Sequence, residues 1–239
     1  MLFLNVPYHE KEYAKALGAR WNPQFKKWYA THPDEYYKFA RWILPIGSLI
    51  VLDNLYLVEG IRTCFKCGMP TRLVALGVDK HIDLSDDDYG MESEEEFNNP
   101  ESYVRGIKLL DKNEDWLKVM NDFIDSDAIF ISGEMNLSPG PLLDFIQSKY
   151  NYKMRYSYTT KDSDYRSCCD HCDILQGDFY VYHEVDTPFF LDSIEKIKAL
   201  NIYRIPLATD MIFNFSLNYE TINYLIKQYA NISDLNLQL

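Results

Sequence analysis

The sequence predicts an α+β fold, in which a small N-terminal α/β unit over residues 1–45 precedes a mixed α/β domain over residues 46–239. Three observations predict it. Short apolar runs with strand character are interspersed with stretches of helical periodicity. The charge balance changes sign near residue 45, with seven Lys or Arg against four Asp or Glu before it and a net of −15 after it. Two C-x-x-C pairs stand far apart in the second part. At 239 residues and 47% apolar content, with 19 Tyr and 13 Phe, the chain can bury a bulky core without disulfides.

In the N-terminal unit, Leu2 to Val6 reads as a strand stopped by Pro7, and Tyr8 to Leu17 as a helix with Gly18 as its C-cap signal. Asn22-Pro23 between Ala19-Arg20-Trp21 and Lys27-Trp28-Tyr29 predicts a hairpin, and a second helix spans about Asp34 to Trp42. Beyond it, strands are expected at Ser48 to Tyr56 and Thr71 to Val78. Residues 83–101 hold nine acidic residues and no basic one, which predicts a solvated loop. Helices follow near Asn113 to Ile124 and Pro139 to Tyr150, the latter capped by Ser138, with a strand from Ala128 to Ser132 between them. The remaining expectations are strands at Tyr152 to Tyr158, Phe179 to Val185 and Ile202 to Pro206, and helices at Leu191 to Leu200 and Tyr219 to Tyr229. The last of these carries Tyr219, Ile222, Ile226 and Tyr229 on one stripe.

Five cysteines are an odd number, and Met1 to Tyr8 carry no basic flank followed by an apolar run. The expectation is therefore a cytoplasmic protein that uses thiols for metal rather than for disulfides. Cys64-Phe65-Lys66-Cys67-Gly68 and Cys169-Asp170-His171-Cys172 read as two knuckles whose four thiolates converge on one structural zinc ion, a zinc-ribbon arrangement. Cys168 and His171 compete for the place of Cys169, which is preferred because its spacing copies the first knuckle. A thioredoxin-like pair would need a helix after the cysteines, whereas Gly68-Met69-Pro70 points to a turn into a strand. Four thiolates leave no open position, so the predicted metal set, Cys64, Cys67, Cys169 and Cys172, staples the domain rather than catalysing a reaction.

No catalytic residue is assigned. His183-Glu184 in a strand would point to opposite faces, and His81 with Asp83 reads as a solvated contact beside the acidic loop. Phosphate-loop, dinucleotide, nucleophile-elbow and zincin motifs are missing from the sequence.

A net charge of −12 repels nucleic acid at long range, so contact with it requires a local basic face. Lys11, Lys15, Arg20, Lys26 and Lys27 supply one in the N-terminal unit, interleaved with Trp21, Phe25, Trp28 and Tyr29, as on single-strand binding platforms. In so small a unit Trp21 and Trp28 are expected in the core.

Val6-Pro7-Tyr8-His9-Glu10-Lys11, Ala14 to Asn22 and Lys27-Trp28-Tyr29 together resemble a small bacterial domain of unknown function, often attached to primase-like, antirestriction and other mobile-element proteins. The two knuckles, with Leu175 to Phe179, are similar to a bacterial group that pairs this unit with a split zinc motif, although Asp173 stands where that group usually has Gly. The resemblance implies bacteria or their mobile elements and supplies no activity. From the residues themselves the expectation is a non-catalytic, zinc-stabilised binding protein whose N-terminal unit engages single-stranded nucleic acid or a nucleic-acid-processing complex. The alternative expectation is a protein-interaction or inhibitory module acting through the acidic stretch, and the third is an enzyme of unrecognised class.

Overall fold

A computed structural model describes residues 1–83, 127–135, 137–185 and 187–239. In chain order its strands are β1 (Leu2–Leu4), β2 (Arg20–Asn22), β3 (Lys27–Ala30), β4 (Leu49–Val51), β5 (Asn54–Thr63), β6 (Pro70–Val78), β7 (His81–Asp83), β8 (Phe130–Ser132), β9 (Tyr152–Ser157), β10 (Asp162–Ser167), β11 (Asn201–Pro206), β12 (Met211–Phe213), β13 (Leu217–Asn218) and β14 (Asn231–Asp234). The helices are α1 (Lys11–Ala16), α2 (Ala40–Ile43), α3 (Pro141–Lys149), α4 (Asp178–Tyr182), α5 (Ile194–Lys198) and α6 (Ile226–Tyr229). The fold is α+β. The acidic stretch after Asp83 and the helix expected at 113–124 lie outside the described residues. Among the described residues no helix is long and apolar enough to cross a membrane.

The chain divides into two compact units, neither of them continuous in sequence. In the first, described over residues 1–53, 80–83 and 209–214, β1, β3 and β2 form one antiparallel sheet, and β12, β4 and β7 form another. Its core gathers Leu2, Leu4, Ala14, Ala30, Tyr36, Phe39, Trp42, Ile43, Ile50 and Ile82, with Trp28 packed against it. The hairpin β2–β3 turns where the sequence expects it. Asn22 Oδ1 accepts the backbone N–H groups of Gln24 (3.0 Å) and Phe25 (3.1 Å), the local bond that makes Asn a turn former.

The second unit, residues 54–79, 127–208 and 215–239, is built on a six-stranded sheet of order β13-β8-β6-β5-β11-β14. Only the β11–β14 pairing in it is parallel. The long β5–β6 hairpin is its spine, pairing Leu55 with Val78 at one end and Thr63 with Pro70 at the other. A separate two-stranded sheet, β9–β10, runs from the Ser157–Asp162 pair to the Tyr152–Ser167 pair.

Several elements differ from the sequence expectation. The run from Ser48 to Tyr56 is two strands, because Asp53 adopts a left-handed backbone (φ 56°) and turns the chain between β4 and β5. Phe179 to Val185 is not a strand. Aromatic and β-branched residues favour one, but a strand would send Val181 and Tyr182 to opposite faces, whereas α4 buries both. His183 is consequently the C-cap of a helix, and the opposite-faces argument about His183-Glu184 does not apply. His81 is fully buried in β7 rather than solvated. Helix α3 is capped at Gly140, with Pro141 in its first turn, one helical half-turn later than Ser138 and Pro139 would place it. Near the C-terminus, a 3-10 turn (Thr221–Leu225) leads into α6, and Asn223 and Ile226 are buried while Tyr219 is exposed.

Candidate metal centre and candidate nucleic-acid interface

The first knuckle joins β5 to β6 at the tip of the hairpin, and the second follows β10. Four sulfurs, of Cys64, Cys67, Cys169 and Cys172, lie within 4.8 Å of one another and could hold a metal ion. The separations Cys64–Cys172, 3.8 Å, and Cys67–Cys169, 3.7 Å, match the edge of a regular tetrahedron around an ion bonded at about 2.3 Å, which is roughly 3.8 Å. The donor set therefore fits a soft, four-coordinate cation.

The two knuckles repeat one backbone pattern. Cys64 N–H donates to the Met69 carbonyl (2.9 Å) and Gly68 N–H to the Cys64 carbonyl (2.9 Å). Cys169 N–H donates to the Ile174 carbonyl (2.9 Å) and Asp173 N–H to the Cys169 carbonyl (3.1 Å). The residue after the second cysteine is left-handed in both, with φ 70° at Gly68 and 62° at Asp173. For Gly that conformation carries no Cβ penalty. Asp173 is instead held by its carboxylate, which accepts from Asn151 Nδ2 (3.0 Å), Lys153 and Arg155. These partners, Lys153 foremost, hold its pKa down to about 2.

Side chains lock the knuckles to each other. Asp170 accepts from Arg72 Nε (3.0 Å) and from the Arg72 backbone N–H (3.1 Å), while its own N–H donates to Thr71 Oγ1 (2.9 Å). Gln176 Nε2 donates to Cys64 Sγ at 3.6 Å.

The cluster is electrostatically uneven. Burial opposes ionisation of Cys64, yet the backbone amides of Cys67 and Lys66 and the Gln176 amide outweigh it, holding the thiol down to about 6. Burial opposes ionisation of Cys169 too, and the amides of Cys172 and His171 again prevail. At Cys67 the Met69 amide favours the thiolate, but burial and the sulfurs of Cys172, Cys169 and Cys64 push it up to about 12. Four adjacent thiolates repel one another unless a cation sits among them.

Cys168 and His171 stand outside this sulfur cluster. Cys168 pairs with Leu175 in an isolated bridge, and its thiol approaches the Arg166 carbonyl (3.9 Å), so the alternation of an extended chain turns Cys168 and Cys169 to opposite sides. His171 contributes its backbone N–H to Cys169 Sγ (3.4 Å), and its residue is exposed.

In the N-terminal unit, Lys15, Arg20, Lys26 and Lys27 are exposed. Lys11 is engaged, its Nζ donating to Tyr8 Oη (2.9 Å) and lying 4.1 Å from the Tyr8 ring centre. The five cations do not share one face. Lys11 and Lys15 are on α1, whose Ala14 packs into the core, whereas Arg20, Lys26 and Lys27 belong to the β2–β3 hairpin. Of the two tryptophans expected in the core, Trp28 packs there, while Trp21 meets it edge-on (5.6 Å) at the sheet margin and stays 49% exposed.

Residues 1–44 match a family described as a domain of unknown function (DUF5710). Two proteins named DNA primase TraC, both from Escherichia coli, are each 48% identical to this chain over 40 residues. Those residues are 17% of this chain and only 3% and 4% of the two primases. No solved structure matches the chain.

The matched domain thus contains all five cations but neither knuckle. Sequence reasoning found the four sulfurs and missed the groups that hold them in place: Gln176, Thr71, Arg72 and the Asn151, Lys153 and Arg155 set around Asp173. No spacing rule points to these, because they meet the knuckles only through pairing of distant strands.

Proposed function

We propose that this is a non-catalytic binding protein in which a structural zinc ion, held by Cys64, Cys67, Cys169 and Cys172, stabilises the second unit, while the N-terminal unit engages nucleic acid or a nucleic-acid-processing complex. The observation that carries the nucleic-acid reading is the 48% identity to DNA primase TraC over 40 residues, together with a matched domain that holds Lys11, Lys15, Arg20, Lys26 and Lys27. Zinc is the metal favoured by an all-thiolate, tetrahedral donor set. When bound it supplies folding free energy, and a closed set of four sulfurs offers no position to a substrate.

The test is fluorescence anisotropy of a labelled oligothymidylate titrated with the intact protein across a salt series. Each phosphate contact contributes about −0.7 to the slope of log K against log salt. The protein should bind with a clear negative slope, and a variant with Lys11, Lys15, Arg20, Lys26 and Lys27 all changed to Glu should lose binding. Equal binding by the two proteins would defeat the reading.

A further inference from the structure

The three-stranded sheet of the N-terminal unit has two faces of different character. In antiparallel pairs, directly opposed residues share a face and neighbours along a strand alternate. Leu2 and Leu4 oppose Ala30 and Trp28, and Trp21 opposes Trp28; this row faces the core, where Ala14 of α1 and Tyr36 and Phe39 also pack. The other face carries Phe3, Tyr29 and Arg20 in a row, with Lys27 two residues from Tyr29. Phe25, from the hairpin loop, lies against Phe3 with ring centres 5.1 Å apart, and Phe3 meets Tyr29 edge-on at 6.4 Å. Lys27 Nζ sits 6.0 Å from the Phe3 ring centre. Phe25 remains 55% exposed.

We propose that this outer face is a stacking platform for single-stranded nucleic acid, with bases resting on Phe3, Phe25 and Tyr29 and phosphates met by Arg20 and Lys27. The proposal rests on the nucleic-acid reading above and names the ligand class and the residues that read it. Three arguments favour this occupant. The core is already supplied with aromatics by Tyr36, Phe39, Trp42 and Trp28, so the outer cluster is surplus to folding and keeps apolar ring surface in water. Charge is complementary to a polyanion, because residues 18–31 hold Arg20, Lys26 and Lys27 and no carboxylate in a chain of net charge −12. Bases within a duplex are stacked on each other and cannot reach an aromatic on an open sheet, whereas unpaired bases can. The helix cations Lys11 and Lys15 belong to an element that packs on the other face, so they contribute at long range only.

The experiment compares oligothymidylate with a blunt duplex of equal length, by anisotropy at fixed salt, using the full chain and variants whose thermal unfolding is unchanged. The single strand should bind at least tenfold tighter than the duplex. Phe25→Ala, which removes an exposed ring, should weaken single-strand binding about tenfold without changing the salt slope, and Phe25→Tyr should restore it. Arg20→Ala and Lys27→Ala should each flatten the salt slope by about 0.7. Lys11→Glu with Lys15→Glu should cost less than threefold.

Single-strand binding that is lost in the fivefold Glu variant but unaffected by both Phe25→Ala and Tyr29→Leu would overturn the platform and leave the nucleic-acid reading standing. No single-strand binding at all would defeat both. Duplex bound as tightly as single strand, or polyglutamate bound as tightly as oligothymidylate, would reduce the surface to a charge-only site and overturn stacking.

Discussion

The two knuckles carry out the same backbone operation with different residues. At Gly68 the left-handed turn carries no Cβ penalty, and a Cβ added there would meet no atom within 4 Å. At Asp173 a side chain occupies the same conformation and is anchored by Asn151, Lys153 and Arg155, all from the β9 side of the sheet. The comparison teaches that the sulfur geometry is set by the repeated amide–carbonyl bonds. A departure from Gly at the fifth position is tolerated where neighbours compensate. It also ties the second knuckle to β9 as the first is tied to its own hairpin.

The largest test of this equivalence is to remove one sulfur from each knuckle. Cys64→Ser and Cys169→Ser should both abolish stoichiometric zinc and lower stability to a similar extent. Structural zinc supplies on the order of 10 kcal/mol, comparable with the whole net stability of a domain. Cys168→Ser should retain the metal, as metal analysis by mass spectrometry of the three variants would report. A large difference between Cys64→Ser and Cys169→Ser would break the symmetry.

The next effect is smaller. Gly68→Ala forces an L-residue into the left-handed region with no new contact to offset it, a cost of about 1 kcal/mol, which lowers Tm by roughly 2–4 °C in a chain of this size. Asp173→Ala should also lower Tm, because Ala keeps the strained backbone and loses all three anchors. Asp173→Gly should lie between Asp173→Ala and the wild type, since relief of the backbone offsets the lost anchors. If Asp173→Ala and Asp173→Gly melt together, the left-handed backbone is not what Asp173 is held against.

The same contrast explains what could be read in advance. C-x-x-C followed by a left-handed residue is a local device, so the sulfurs and the turn at Gly68 were legible from spacing alone, as was the Asn22-Pro23 hairpin. Symmetry of spacing favours Cys169 over Cys168, and the Cys169 sulfur joins the cluster because the chain leaving β10 turns the two neighbours to opposite sides. Tertiary partners decided the rest. Asp178–Tyr182 is helical because Val181 and Tyr182 bury together, with Tyr182 Oη donating to the Val74 carbonyl (3.2 Å). Asn-Ile-Ser-Asp in β14 has no apolar pattern of its own and becomes a strand by pairing parallel to β11. Trp21 falls on the core side of its sheet, yet its edge strand leaves the residue half exposed. Aromatic content signalled a core but could not separate the rings that fill it from those on the outer face.

Whether a metal ion holds the two knuckles together is read by native mass spectrometry of the intact protein, before and after a zinc chelator, with hydrogen exchange followed in parallel. One zinc ion per chain is expected, with a chelated form in which the amides of 64–68 and 169–174 lose protection together. A folded protein that carries no metal, with both knuckles still protected, would contradict it.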